Sequence, residues 1–197
     1  MSKLYFKYGC MCSGKSMFLL ATAFNFQERG IPFICLKSNI DTRDGDGVIH
    51  SRALGDRECI SINPKTDIYK SISKLNELNS LSCIDKIKWI LVDEAQFLTE
   101  KQVNELSDIV DFLDINVICY GLRTDFKTNL FPGSKRLFEL ADSIEEIKST
   151  CSCGEKNIVN ARLDANGSVM TDGAQVLIGG DDKYTPMCRK CFKEKSN

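Results

Sequence analysis

Residues 9–16 read Gly9-Cys10-Met11-Cys12-Ser13-Gly14-Lys15-Ser16, the complete G-x-x-x-x-G-K-[ST] pattern, set between an apolar run and a helix-compatible stretch. Glycines at these places let the backbone curl until successive N–H groups face one polyanion. The helix that follows adds the positive end of its dipole. Lys15 is then placed to reach the outer phosphates of a nucleotide, and the Ser16 hydroxyl to ligate Mg²⁺. Chance produces such a string in on the order of one chain per hundred. Chance does not also require a strand before it and a helix after it.

The rest of the chain fits that start. Leu4–Tyr8 reads as a first strand, residues 15–29 as a helix stopped by Gly30, and residues 31–36 as a second strand with Pro32 at its tolerant first positions. Residues 70–78 are helix-compatible, residues 87–92 form a third buried strand and residues 115–121 a fourth. Val103, Leu106, Ile109, Val110 and Leu113 give 100–113 the spacing of a one-sided helix, and residues 133–141 a shorter one. Strands that are continuously apolar and separated by helices imply an α/β fold whose parallel sheet is covered on both faces. The polar, Gly-rich stretch 39–57 is long enough to be a mobile or functional loop. Past residue 150 the pattern changes to short segments (158–163, 168–171, 175–178) between Asn-Gly, Asp-Gly and Gly-Gly turns, as in β-ribbons.

The strand Trp89-Ile90-Leu91-Val92 runs into Asp93 and Glu94. In phosphate-loop folds an acid at that place holds the Mg²⁺ of the nucleotide, which assigns Asp93. Glu94 lies where ligands bind in open α/β sheets, ready to take a proton from an attacking oxygen. The competing reading is a helix cap with a first-turn acid. A base in this position activates either water, making an ATPase, or a substrate hydroxyl, making a kinase. A kinase must exclude water, so it needs a lid and apolar walls. The candidate walls are Met11, Phe97, Leu122, Phe126 and Phe131, for each of which ordinary core packing is the competing reading.

With 26 Lys+Arg against 27 Asp+Glu, the net charge of −1 argues against a large basic nucleic-acid surface. It likewise gives little support to a zinc-ribbon NTPase working along nucleic acid. No apolar run approaches the ~18–20 residues of a membrane span, and no signal-peptide pattern opens the chain, so the expected compartment is the reducing cytoplasm. Most of the ten cysteines are scattered, several inside apolar runs. Cys188 and Cys191 form a C-x₂-C pair and Cys151 and Cys153 a C-x-C pair, with 34 residues between them. Two such pairs around β-ribbon sequence resemble a Cys₄ structural zinc ribbon, with reduced thiols or a redox pair as the competing reading.

Together these residues resemble the thymidine kinases of the cellular cytosolic, bacterial and poxviral type, over essentially the whole chain. The resemblance rests on residues 9–16, Asp41-Thr42-Arg43, Asp93-Glu94-Ala95-Gln96-Phe97, Gly121-Leu122 followed by Phe126, the run Ile178-Gly179-Gly180-Asp181-Asp182-Lys183-Tyr184 and the terminal Cys-x-x-Cys. It implies a RecA-like P-loop sheet in a kinase domain spanning 1–149, and a small C-terminal domain, 150–197, with a β-ribbon zinc site and a lasso loop. The implied reaction is ATP-dependent phosphorylation of the 5′-hydroxyl of thymidine, and of deoxyuridine, giving dTMP for DNA synthesis by salvage. Glu94 is then the catalytic base. Residues 9–16, Asp41, Thr42, Arg43, Asp93, Glu94, Ala95 and Gln96 are nucleotide-site residues, with Ser16 and Asp93 on the Mg²⁺ side. The nucleoside would meet Met11, Phe97, Leu122, Phe126, Phe131 and Asn160. From the lasso it would meet Gln175, Val176, Leu177, Ile178, Gly179 and Tyr184. Zn²⁺ would be held by Cys151, Cys153, Cys188 and Cys191. The resemblance further implies a homotetramer and feedback inhibition by dTTP, with neither nucleic acid nor membrane as a partner.

Overall fold

Strands apolar on both faces are stable only when both faces are covered, and the fold is organised around that requirement. The structure, a computed structural model, describes residues 1–41, 45–81, 85–164, 166–176 and 183–196. In chain order its elements are β1 (Leu4–Tyr8), α1 (Lys15–Glu28), β2 (Phe33–Ser38), β3 (Val48–Ser51), β4 (Gly55–Glu58) and β5 (Ile60–Ile62). There follow α2 (Ile68–Leu81), β6 (Trp89–Asp93), α3 (Glu100–Leu113), β7 (Asn116–Gly121), α4 (Pro132–Leu140) and β8 (Ser143–Glu146). The chain closes with β9 (Val159–Arg162), β10 (Tyr184–Met187) and α5 (Arg189–Ser196).

Six strands among the described residues form one sheet in the order β5-β2-β6-β7-β1-β8, with every pairing parallel. This is the RecA-like arrangement: β7 lies between β1, which feeds the phosphate loop, and β6, which ends in Asp93. Because the strands are parallel, loop and acid emerge at the same edge of the sheet. Side chains alternate between two cores. Phe6, Ile90, Val92, Val117 and Cys119 point toward α2, α3 and α4, while Leu91, Ile118 and Tyr120 point toward α1. Leu19 and Ala23 of α1 are fully buried against that second face, where truncating a leucine costs about 2–5 kcal/mol.

Several elements differ from the sequence-based expectation. The stretch 39–57 is more than a loop. Its second half folds as the antiparallel hairpin β3–β4, whose fully buried Ile49 joins α1 in covering the sheet. Edge strands β5 and β8 are short or polar, and they join the sheet through backbone pairing with β2 and β1. The helix expected over 70–78 extends to Ile68–Leu81. In the C-terminal part β9 pairs with β10, with Arg162 opposite Tyr184 and Val159 opposite Met187. Pro186 is tolerated in this two-stranded ribbon because it has no second neighbour to bond. Residues 168–171 supply only an isolated bridge, Leu163 to Val169. Residues 175–176 are not in a strand, and the remainder of that expected segment lies outside the described residues. Among the described residues no helix is long and apolar enough to cross a membrane.

Candidate active site

The phosphate loop turns tightly at its first residue. A side chain on Gly9 would put its Cβ 2.5 Å from the carbonyl oxygen of Ile147 and from Ser13 Oγ, so only glycine fits. Cys12 has φ 57°, a left-handed conformation that costs a non-glycine residue roughly 1–2 kcal/mol. Helix α1 has no acid in its first turn, and its first residue is the buried Lys15. A cation at that end opposes the helix dipole, an arrangement that an incoming polyphosphate would relieve. Burial lowers the Lys15 pKa, against the opposing pull of Glu94 and Asp93, and its Nζ donates to the carbonyl of Cys10 at 2.8 Å.

Ser16 Oγ donates to Asp93 Oδ2 at 3.2 Å, so the two residues assigned to Mg²⁺ are already neighbours. Burial, reinforced by the charge of Glu94, pushes the Asp93 carboxyl up to about 7, opposed by the N–H of Glu94 and by Lys15 and Lys37. A hydroxyl and a buried carboxylate side by side, both hard oxygen donors, fit a divalent cation. The helix-cap reading of this acid pair does not hold. Residues Ala95–Phe97 make a single 3-10 turn to which Glu94 gives no side-chain cap, and α3 is capped by Thr99, whose hydroxyl accepts from Gln102 N at 3.1 Å. Glu94 itself sits at φ 51° and accepts a hydrogen bond from the side-chain amide of Gln96.

Glu94, Lys15 and Ser16 open into a cavity of about 630 Å³, within the size range of small-molecule sites. Every described residue expected at the nucleoside lines the same cavity: Met11, Phe97, Leu122, Phe126, Phe131, Asn160, Gln175, Val176 and Tyr184. Cys12, Gly14, Asp41 and Gln96 of the nucleotide set line it as well. Ala95 does not. It is fully buried, and its carbonyl lies against Gly133 of α4. Gly9 and Cys10 line a minor cleft behind the loop. Thr42, Arg43, Leu177, Ile178 and Gly179 lie outside the described residues.

Some residues at the cavity were not singled out from the sequence. His50, Ser51 and Arg52 reach it from the β3–β4 hairpin, and Thr124 and Asp125 from the segment after β7. Buried Lys37 lies opposite Asp93 in the sheet register, 3.8 Å from Asp41, and donates to the carbonyl of Val48 at 3.0 Å. Asn160 Oδ1 accepts from the backbone N–H of Met11 at 2.7 Å, which joins β9 to the phosphate loop.

The sulfurs of Cys151, Cys153, Cys188 and Cys191 all lie within 4.8 Å of one another, with Cys153 and Cys188 at 3.6 Å. Tetrahedral Zn–S bonds of ~2.3 Å place sulfurs ~3.8 Å apart. Backbone N–H groups of Cys153 and Cys188 draw the Cys151 thiol down to about 6, whereas the neighbouring sulfurs of Cys153 and Cys188 push Cys191 up to about 12. Four thiols so close cannot all ionise without a cation among them, and a soft divalent metal suits this donor set.

Phosphate loop, aromatic residues and the Glu94 carboxylate thus share one cavity. That is the arrangement of a phosphate-loop kinase, which must present an acceptor to the terminal phosphate away from water. A sequence profile described as thymidine kinase matches residues 2–192. The chain is 45% identical to the thymidine kinase of Rhodopirellula baltica, over 98% of this chain and 89% of that protein. It is 45% identical to that of Pasteurella multocida (99% and 98% covered) and 44% identical to that of Rhizobium meliloti (99% and 98% covered). The chain belongs to the thymidine kinase family.

Proposed function

We propose that this protein transfers the γ-phosphoryl group of ATP to the 5′-hydroxyl of thymidine, and of deoxyuridine, giving the 5′-monophosphate and ADP. The observation that carries this reading is the shared cavity. Glu94 lines the same cavity as the Lys15–Ser16 grip and the walls made by Phe97, Phe126 and Phe131. The loop N–H groups and Lys15 hold the triphosphate. Glu94 accepts the proton of the 5′-hydroxyl as the new O–P bond forms and the bond to the bridging oxygen of ADP breaks. Ser16 and Asp93 would hold Mg²⁺, which neutralises charge on the phosphates. The aromatic walls keep water from competing for the phosphoryl group.

Zinc at the four cysteines is proposed as structural, since four protein ligands leave no open position. As a nucleotide carrying the same base and sugar, dTTP is proposed to compete for this cavity and inhibit. Phe18 and Phe24 of α1 are 46% and 58% exposed, an apolar face suited to the proposed homotetramer in the cytoplasm. The test is incubation with γ-labelled ATP and a panel of nucleosides. Label should pass to thymidine and deoxyuridine. Phosphate release stimulated by nucleic acid, with no labelled nucleoside, would replace this reading with that of a nucleic-acid NTPase.

A further inference from the structure

Arg162, the last residue of β9, is 3% exposed, and among the described residues no carboxylate forms an ion pair with it. An uncompensated buried guanidinium is expensive, so its other contacts must hold it there. Nη1 donates to the carbonyl of Ala174 at 3.0 Å, and Nε donates to the Tyr184 hydroxyl at 3.2 Å, as does Nη2. The flat face of the same guanidinium stacks on Phe126, with Cζ 3.9 Å from the ring centroid. Phe126 is 1% exposed and lines the cavity.

The chain comes unusually close to this group. Gly173 has φ +125°, and a Cβ there would lie 3.2 Å from Arg162 Nη1 and 3.9 Å from Phe126 Cζ. A second tie lies beside the first, where Gln175 Nε2 donates to buried Asp125 Oδ2 at 3.0 Å. Two residues earlier on the same face of β9, Asn160 accepts from the phosphate loop. One strand therefore braces the donor side through Asn160 and the acceptor side through Arg162.

We propose that Arg162 is a positioning residue for the acceptor nucleoside, holding the ring of Phe126 and fastening Ala174 and Tyr184 to it as one wall. This rests on the kinase reading above. Arginine is required because a planar fork satisfies two separate acceptors while stacking on a ring, and a lysine ammonium cannot do all three. Removing the fork loosens the nucleoside wall and leaves Lys15, Ser16 and Asp93, which stand on other elements, in place.

The test is steady-state kinetics with thymidine and ATP varied separately in Arg162→Met, Arg162→Lys and Tyr184→Phe. Arg162→Met should raise the thymidine KM by about 10- to 100-fold with the ATP KM within about 3-fold. Arg162→Lys and Tyr184→Phe should each raise it by roughly 3- to 10-fold, and their combination by less than the product, since both remove the same contact. Should Arg162→Met fail to fold, the two milder variants decide. Unchanged thymidine KM in both, or equal rises for thymidine and ATP in either, overturns the proposal. Wild-type protein that labels no nucleoside would instead overturn the kinase reading.

Discussion

The side-chain amide of Gln96 donates to the carboxylate of Glu94, while its carbonyl oxygen accepts from the backbone N–H of Leu122 at 2.9 Å. Gln96 is 1% exposed, so this amide has one orientation, and through it the end of β7 dictates where the Glu94 carboxylate points. Gln96→Leu should lower kcat by about 10- to 100-fold while ATP binding is retained. Gln96→Glu replaces the amide donor with a second acid facing Glu94, so kcat should fall at least as far as in Gln96→Leu. Unchanged kcat in a folded Gln96→Leu enzyme would show that the contact has no part in catalysis.

Of the carboxylates that line the cavity, Asp41, Glu94 and Asp125, proton removal is proposed for Glu94. Glu94→Gln preserves the shape and the amide contact but removes the base. Turnover should fall by about 10²- to 10⁴-fold with thymidine and ATP still bound, as read by equilibrium binding beside single-turnover rates. Turnover within a few-fold of wild type would assign the proton to another acceptor.

Asp93 offers a test without catalysis. A carboxyl raised by burial to about 7 favours the fold fully below the pKa of the unfolded chain, near ~4, and loses that contribution as the pH climbs through 7. Asp93→Asn mimics the neutral form, so nucleotide-free variant should melt higher than wild type by a margin that widens from pH 5 to pH 8. Each kcal/mol recovered is worth about 2–4 °C in a chain of this size. Mg-ATP should reverse the ranking, because only the wild type gains the cation. A variant that melts lower than wild type at pH 8 would contradict the electrostatic account.

Cys153 is the exposed member of the sulfur quartet and shares the shortened C-x-C spacing with Cys151. Metal analysis of purified Cys153→Ser should find zinc well below ~1 equivalent per chain, with the thymidine KM raised more than the ATP KM. The asymmetry follows from Arg162 and Tyr184, which reach the nucleoside wall from the same β-ribbon. Full zinc retention would mean that three cysteines suffice.

Local chemistry made much of this site legible in advance. The loop 9–16, the acid pair after an apolar strand and the two cysteine pairs are short-range patterns in which spacing alone constrains geometry. The structure brings their members together as expected, with Ser16 on Asp93 and four sulfurs in one cluster. Of the residues proposed for the nucleoside, the apolar walls were candidates from their nearness to the catalytic loops, whereas Asn160 and the lasso residues came with the family resemblance. As bare sequence, Phe97, Phe126 and Phe131 read equally well as core.

What escaped notice depends on contacts far apart in the chain. Strand β8 is Ser-Ile-Glu-Glu, too polar to read as a strand, because an edge position asks for backbone pairing more than apolar side chains. Helix α5 buries no residue completely, so no apolar stripe marked it. The β3–β4 hairpin is rich in charge, and only its packing on α1 makes it part of the cover and brings Arg52 to the cavity. Nothing local marks Arg162, since its partners at Phe126, Ala174 and Tyr184 lie 36, 12 and 22 residues away. By itself the sequence determined which groups can hold phosphate, metal and proton, because those abilities reside in side-chain chemistry and local backbone bends. Which of them face the same enclosed space, and which buried cation holds the wall in place, was decided by tertiary packing, because burial and long-range pairing exist only once the sheet has formed.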